Sequence, residues 1–262
     1  MANLPPMIVN APEPRGLRYG LLVAAAGPLD LPAHGLAAGL LYQPVSCGHS
    51  HLYDVECTDG VTPASKVFDP AETYVHAAPF VAYATLTCGR TGKSAAEMRT
   101  QVLRRLANGE QSTAEAGLAA ALAGSAVPIT PADPLDIRSA FGALEQWLYG
   151  DDGAAYGNAG YLHLPPRYAN YAASHGILFR DGLLWRTHMG TVVVFGGGYP
   201  DNGSIYISGH TTVWRAPDIN VPDPDQTFDR TTNEFRLLAE REYAVAFDCV
   251  AAVAQFTPAG ES

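Results

Sequence analysis

The chain has 262 residues, 47% of them apolar and 16% charged, with a formal net charge of −10 and an isoelectric point near 5.1. That is long enough for a substantial core and too apolar for disorder. The acidic balance excludes a basic face that grips nucleic-acid backbone, because the sixteen basic residues form no cluster and only Lys66 and Lys93 among them are lysines.

Taken in order, residues 1–16 carry Pro5, Pro6, Pro12 and Pro14 and no periodicity, which describes an extended arm that must lean on something else. LLVAAA at 21–26 is far too short for a membrane span or a signal peptide, so the chain is expected to be soluble and made in the cytosol. Cys47, Cys57, Cys88 and Cys249 lack the spacing of a small secreted domain and are expected to be reduced thiols. From 41 to 88, the strand-like runs LYQPV, SHLYDVE and TYVHAAPFVAYATLTC surround the polar insertion CTDGVTPASKVFDPAE, as in an antiparallel excursion with a polar tip.

CGRTGKSAAE, at 88–97, sits where a phosphate-binding loop would. The P-loop needs glycine at 87, however, and the residue there is Thr87. Ser94 and Glu97 fit a capping box instead, so this stretch reads as a helix start. Met98, Val102 and Leu106 make an apolar stripe, Asn108-Gly109 interrupts it, and Ser112 with Glu115 has the spacing of a second capping box before Ala114, Leu118 and Leu122. This predicts one long kinked helix or two in tandem. VPITPADP reads as a linker ending in a helix start, with Asp133 as N-cap, Pro134 first in the helix and Asp136 in the first turn. Ile137, Phe141, Leu144 and Leu148 are that helix's buried stripe, and Gly150 ends it.

A third helix is predicted from Pro165-Pro166 to Gly176. GILFR and LLWRT then face each other across Asp181-Gly182, followed by TVVVF, SIYIS and TTVWR. FGGGYP, at 195–200, lacks dinucleotide-binding spacing and reads as a flexible strand connection. Two long strands, FRLLAEREYAVAF and CVAAVAQF, join near Asp248 and close the chain onto an earlier sheet.

Cys47, His49 and His51 share one strand face, with Asp54, Glu56 and Cys57 nearby, a pattern in which zinc ligands occur. Zinc sites usually draw a second ligand pair from another element, and three spaced residues on one strand more often form an ordinary face, so we read an ordinary strand face and assign no metal, no cofactor and no catalytic residue. His163, His175, His188 and His210 read as single hydrogen-bonded or surface residues, and Asp151-Asp152 and Glu240/Glu242 as solvated turn and strand faces.

The order of parts in DIRSAFGALEQWL, then YLHLPPRYANYAASHGILFRDGLLWRTHMGTVVVFGGGYPDNGSIYISGHTTVWRAP, then NEFRLLAEREYAVAFDCVAAVAQF, resembles the axial and peripheral domains of major capsid proteins with the Hong Kong 97 fold, the shell fold of tailed phages and encapsulins. The resemblance covers most of the chain. It implies an α+β fold with an N-terminal arm (1–44), an extended loop (45–90), a spine helix of the peripheral domain (91–130), an axial domain (131–220) and return strands of the peripheral domain (221–262).

It implies a structural protein, not an enzyme, whose copies form hexamers and pentamers of an icosahedral shell. That shell encloses double-stranded DNA without sequence-specific binding, as part of a virion assembled in host cytoplasm away from membranes. Scaffolding, portal and decoration proteins would be separate partners, since no helical scaffolding segment precedes the arm. Two features depart from the family pattern. Gly190 is followed by Thr191 where proline is frequent, and Lys66 has no matching cross-linking asparagine, so it reads as a solvated loop lysine. The alternatives are an encapsulin-type nanocompartment shell, a small metal-dependent enzyme built on the Cys47 cluster, or a decoration or tail component.

Overall fold

The computed structural model describes residues 19–31, 36, 38–44, 50, 66, 73–89, 94–131, 133–150, 152–222, 228–229, 231–232, 234–248 and 251–257. The arm at 1–16, the polar insertion apart from Lys66, and residues 90–93 lie outside these.

The longest element is α2 (Ala95–Ser125), 31 residues and about 46 Å at helical rise. It follows a short opening of α1 (Leu21–Ala24), β1 (Ala26–Asp30), β2 (Leu40–Tyr42), β3 (Val75–Ala77) and β4 (Pro79–Gly89). Ser94 caps α2 as expected: its hydroxyl accepts from the Glu97 N–H, and the Glu97 carboxylate accepts from the Ser94 N–H at 2.7 Å. The helix does not stop at Asn108-Gly109. A mid-helix glycine costs about 1 kcal/mol against alanine, but Met98, Val102, Leu106, Ala114, Leu118 and Leu122 form one continuous buried stripe that outweighs it. The second capping box is therefore overturned. The Ser112 hydroxyl donates to Gly109 O within the helix, and Glu115 points into the protein with no solvent exposure.

That stripe lies on a sheet of order β1-β11-β13-β12 with β4 added on β13. Here β11 is Thr211–Arg215, β12 is Phe228–Asp229 and β13 is Glu234–Phe247. β4 and β13 run antiparallel from Gly89↔Glu234 to Pro79↔Ala244. Along β4 the alternation expected of a half-buried strand is clear: Ala82 and Leu86 face α2, while Val81, Tyr83, Thr85 and Thr87 face outward. TYVHAAPFVAYATLTC is thus two strands, broken at Ala78, since β3 pairs with β2 instead.

The second sheet has seven strands in the order β5-β14-β10-β6-β9-β8-β7. They are β5 (Val127–Pro128), β6 (Tyr161–Leu164), β7 (Leu178–Asp181), β8 (Leu184–Thr187), β9 (Val192–Phe195), β10 (Ser204–Ser208) and β14 (Ala251–Gln255). α3 (Ile137–Tyr149) and α4 (Tyr168–Ser174) belong with this sheet. Asp181-Gly182 turns the β7–β8 hairpin, with Gly182 at φ 62, where a side chain would be strained.

β13 and β14, neighbours in sequence, lie in different sheets, so the chain crosses from one to the other at Asp248. The expected linker VPITPADP is instead the edge of the second sheet: Val127 and Pro128 pair in parallel with Ala252 and Val253, and Leu135 bridges Phe256. Because the Leu135 N–H and C=O are committed to Gln255 and Thr257, α3 cannot begin at Asp133. Its N-cap is Asp136, whose carboxylate accepts from the Arg138 and Ser139 N–H groups at 2.9 and 3.1 Å.

The seven-stranded sheet is covered on both faces. Leu162, Leu164, Val193, Phe195, Ile205 and Ile207 meet the Ile137, Phe141, Leu144 and Leu148 stripe of α3. The alternate residues Tyr161, Val192, Val194 and Tyr206 join the core beneath α1 and α2.

Candidate assembly surfaces

Among the described residues, the places where large apolar side chains lie open include the β4 face, the base of the excursion and the edge hairpin. On β4, Val81 and Tyr83 face outward, Tyr83 being 68% exposed. At the base of the excursion, Leu41 on β2 is 72% exposed, with Tyr74 just before β3 and Val75 on it also open. On the edge hairpin β7–β8, Phe179, Leu183 and Met189 project, and Arg180 lies over the Trp185 ring. β7 ends its sheet, so one row of its backbone groups is unpaired within the sheet.

Two of the clefts among the described residues lie between elements. One, of about 630 Å³, runs between β3–β4 and the small residues Gly117, Ala120, Ala121 and Gly124 of α2. The other, about 580 Å³, opens over Tyr42, Tyr156, His210 and Asp248. At its floor the buried Asp248 carboxylate accepts from both Tyr42 and Tyr156 hydroxyls, and Tyr156 accepts from the His210 N–H at 2.9 Å. Burial, together with the neighbouring carboxylate, pushes the Tyr156 hydroxyl up to about 12, so it remains a donor at every physiological pH. These polar groups satisfy one another and pin the crossing from β13 to β14.

Where the helix and the second sheet meet, ionisable groups are buried. Glu115 Oε1 accepts from the Leu21 N–H at 3.1 Å and Oε2 from the Gly198 N–H at 3.0 Å. FGGGYP is accordingly a close-packed contact, not a flexible connection: a Cβ at Gly198 would lie 2.0 Å from Ser112 O, and one at Gly196 would lie 2.2 Å from the Glu115 carboxyl carbon. Tyr199 continues the contact to His163, whose two ring nitrogens bond Tyr199 OH and Ser208 Oγ, each at 3.0 Å. Burial drives His163 down to about 3, so it is neutral. More than a turn earlier on α2, against the five-stranded sheet, Glu110 pairs with Arg241 of β13 at 3.0 Å, both side chains 12% exposed.

Cys47, His49, His51, Asp54, Glu56 and Cys57 lie outside the described residues. Lys66 is exposed. Among the described residues, no three His, Cys, Asp or Glu side chains converge as a metal site, and no helix is long and apolar enough to cross a membrane. His163, His175, His188 and His210 do not gather at one place. His163 and His210 flank Tyr161, whereas His175 and His188 bond the carbonyls of Tyr171 and Gly176. Glu240 and Glu242, read as solvated, are half-buried: Glu240 exchanges backbone hydrogen bonds with Asn220 and takes its side-chain N–H at 2.6 Å.

Glu110 and Glu115 went unrecognised as structural groups although a signal was present. Leu106, Glu110 and Ala114 share one line of the helix, and Glu115, Leu118 and Leu122 another, so each acid stands on an apolar stripe. Three consecutive glycines likewise signal close backbone approach.

In overall structure the chain is similar to the capsid of an empty GTA particle, at 13% identity over 97% of this chain and 95% of that one, with a TM-score of 0.57. It is also similar to a Microbacterium phage Oxtober96 structure (11% identity, 97% and 96% covered, TM-score 0.53) and a Mycobacterium phage Cain structure (12% identity, 97% and 96% covered, TM-score 0.51). No family model matches the sequence, and no curated protein matches it in sequence. The likeness spans nearly the whole of each chain, and the fold is the α+β Hong Kong 97 shell fold.

Proposed function

We propose that this chain is a major capsid protein, whose copies assemble into an icosahedral shell enclosing the double-stranded DNA of a tailed phage. The observation that carries the reading is the whole-length likeness to a chain whose structure is that of a particle capsid. The separate apolar patches on β4, at the β2–β3 base and on the β7–β8 hairpin support it. A wedge that contacts several neighbours needs several such faces, and many modest contacts sum through multivalency.

In this reading residues 131–220 are the axial domain, α2 within 91–130 the spine, 45–90 the extended loop, 1–44 the arm and 221–262 the return strands. Scaffolding, portal and decoration proteins are separate chains, and the site of action is the virion, built in host cytoplasm. The acidic wall contains DNA by closure and needs no sequence-specific grip on it. We assign the chain no reaction.

The test is size-exclusion chromatography followed by electron microscopy of the purified protein. Closed polyhedral particles, or sheets and tubes of hexamers, are expected. A species that stays at 27.7 kDa at high concentration and with crowding agents counts against self-assembly. Particles from the natural source that hold protein cargo in place of DNA would move the reading to an encapsulin-type shell.

A further inference from the structure

The cleft of about 630 Å³ beside α2 has Val75 and Phe80 of the β3–β4 side on one wall, and Val245 and Phe247 of β13 also line it. Its helix wall is Gly117, Ala120, Ala121 and Gly124, the last three exposed. A Cβ at Gly124 would meet nothing within 4 Å, so this wall faces open space and not another element. Among the described residues that line the cleft there is no Asp, Glu, Lys or Arg. Its polar side chains already have partners in the chain: the His76 ring bonds Ala38 O at 3.3 Å, and the Ser125 hydroxyl donates to Ala121 O at 2.9 Å. A concave, uncharged, apolar surface of this size is suited to hydrocarbon and not to an ion.

The chain carries a segment of that chemistry within reach. Residues 1–18 lie outside the described residues and contain Leu4-Pro5-Pro6-Met7-Ile8-Val9. No other stretch outside the described residues has even four apolar side chains in succession. Its two prolines lack N–H donors, and a proline-bearing run can lie extended in a groove without a strand partner.

The segment leads into Tyr19, whose carbonyl accepts from Gln111 Nε2 at 2.9 Å. On the helix, Gln111 is turned by roughly 120–180° from Gly117, Ala120 and Gly124, so Tyr19 is held on the other side of α2 from the cleft. Crossing half the helix girth while advancing to Ala121 takes about 25–30 Å. The ten residues from Val9 to Tyr19 span about 33 Å when extended, which brings Val9 to the cleft and leaves Leu4 to Ile8 to enter it.

We propose that residues 4–9 occupy this cleft in the same chain, crossing α2 from Tyr19 and strapping β3 and β4 to the C-terminal half of the helix. The tether favours the chain's own segment over a second copy's, because a short linker supplies an effective concentration in the millimolar range. The strap does not depend on shell formation.

The test places the photo-cross-linking residue p-benzoylphenylalanine at Gly124, at the cleft, in the purified full chain. Irradiated protein is run on a denaturing gel and its cross-linked peptides are mapped by mass spectrometry. The expected product migrates as a single chain and joins position 124 to a peptide from residues 1–18. Ile8→Asp should lower its yield by about tenfold or more, which is the worth of one buried isoleucine. The same probe at Gly142 of α3, where a Cβ also meets open space, should not capture that peptide. The strap is overturned if no peptide from residues 1–18 is joined to position 124, or if Ile8→Asp leaves the yield unchanged. Equal capture from Gly142 overturns it too, since the segment would then have no preferred site. A product at twice the chain mass assigns the cleft to a second copy and likewise removes the proposal.

Discussion

The two faces of the seven-stranded sheet are built from alternate residues of the same strands, yet they are held in different ways. Toward α3 the contact is hydrocarbon: Phe141, Leu144 and Leu148 against Leu162, Ile205 and Ile207. Toward α2 the same strands present Tyr161, His163 and Tyr206, and the helix brings Glu115 against the Gly196–Gly198 connection that follows β9. Non-directional packing gives a body that keeps its shape. Directed hydrogen bonds between buried polar groups give a contact with one preferred geometry. The α3 face is thus held by packing alone, and the α2 face by packing plus directed hydrogen bonds.

The largest expected effect tests the rigid face. Phe141→Ala removes a buried ring from the α3 stripe and should cost about 3–5 kcal/mol, read as a lower midpoint in denaturant unfolding. A loss under ~1 kcal/mol would mean that face is loosely packed and the contrast is unfounded.

The polar contact of α2 with β13 of the five-stranded sheet is tested next. Arg241→Met strands the largely buried Glu110 carboxylate and should cost about 3–5 kcal/mol at neutral pH, whereas Glu110→Leu with Arg241→Met should recover most of it, because two desolvation penalties disappear together. If the double variant is as unstable as the single, the pair contributes more than mutual neutralisation.

A smaller effect lies at the start of α3. Asp136→Ala should cost about 1 kcal/mol. The Asp136 carboxyl is held below its usual pKa by hydrogen bonds from Ser139, so its contribution is complete above pH 3.8 and fades as pH falls through the lowered value. Thermal midpoints of wild type and variant should therefore converge in strong acid. A constant gap would show that the carboxylate charge is not what caps the helix.

Features that depend on near neighbours in the chain could be read from the sequence alone. The Ser94–Glu97 cap, the stripes of α2 and α3, the Asp181-Gly182 turn and the order of strands from 178 to 215 all arise from interactions within a few residues, so spacing and residue type suffice for them. Tertiary structure decided the rest. Gly109 stays helical because β4 and β13 cover the stripe on both sides of it. Asp136 displaces Asp133 as N-cap because Leu135 is taken by Phe256, more than a hundred residues away. β13 and β14 part into separate sheets, and Glu115 serves as an acceptor for Leu21 and Gly198 instead of capping its own helix. In each case the deciding partner is distant in sequence, and whether a strand pairs left or right, or a carboxylate meets water or backbone, is set by burial that no local spacing encodes.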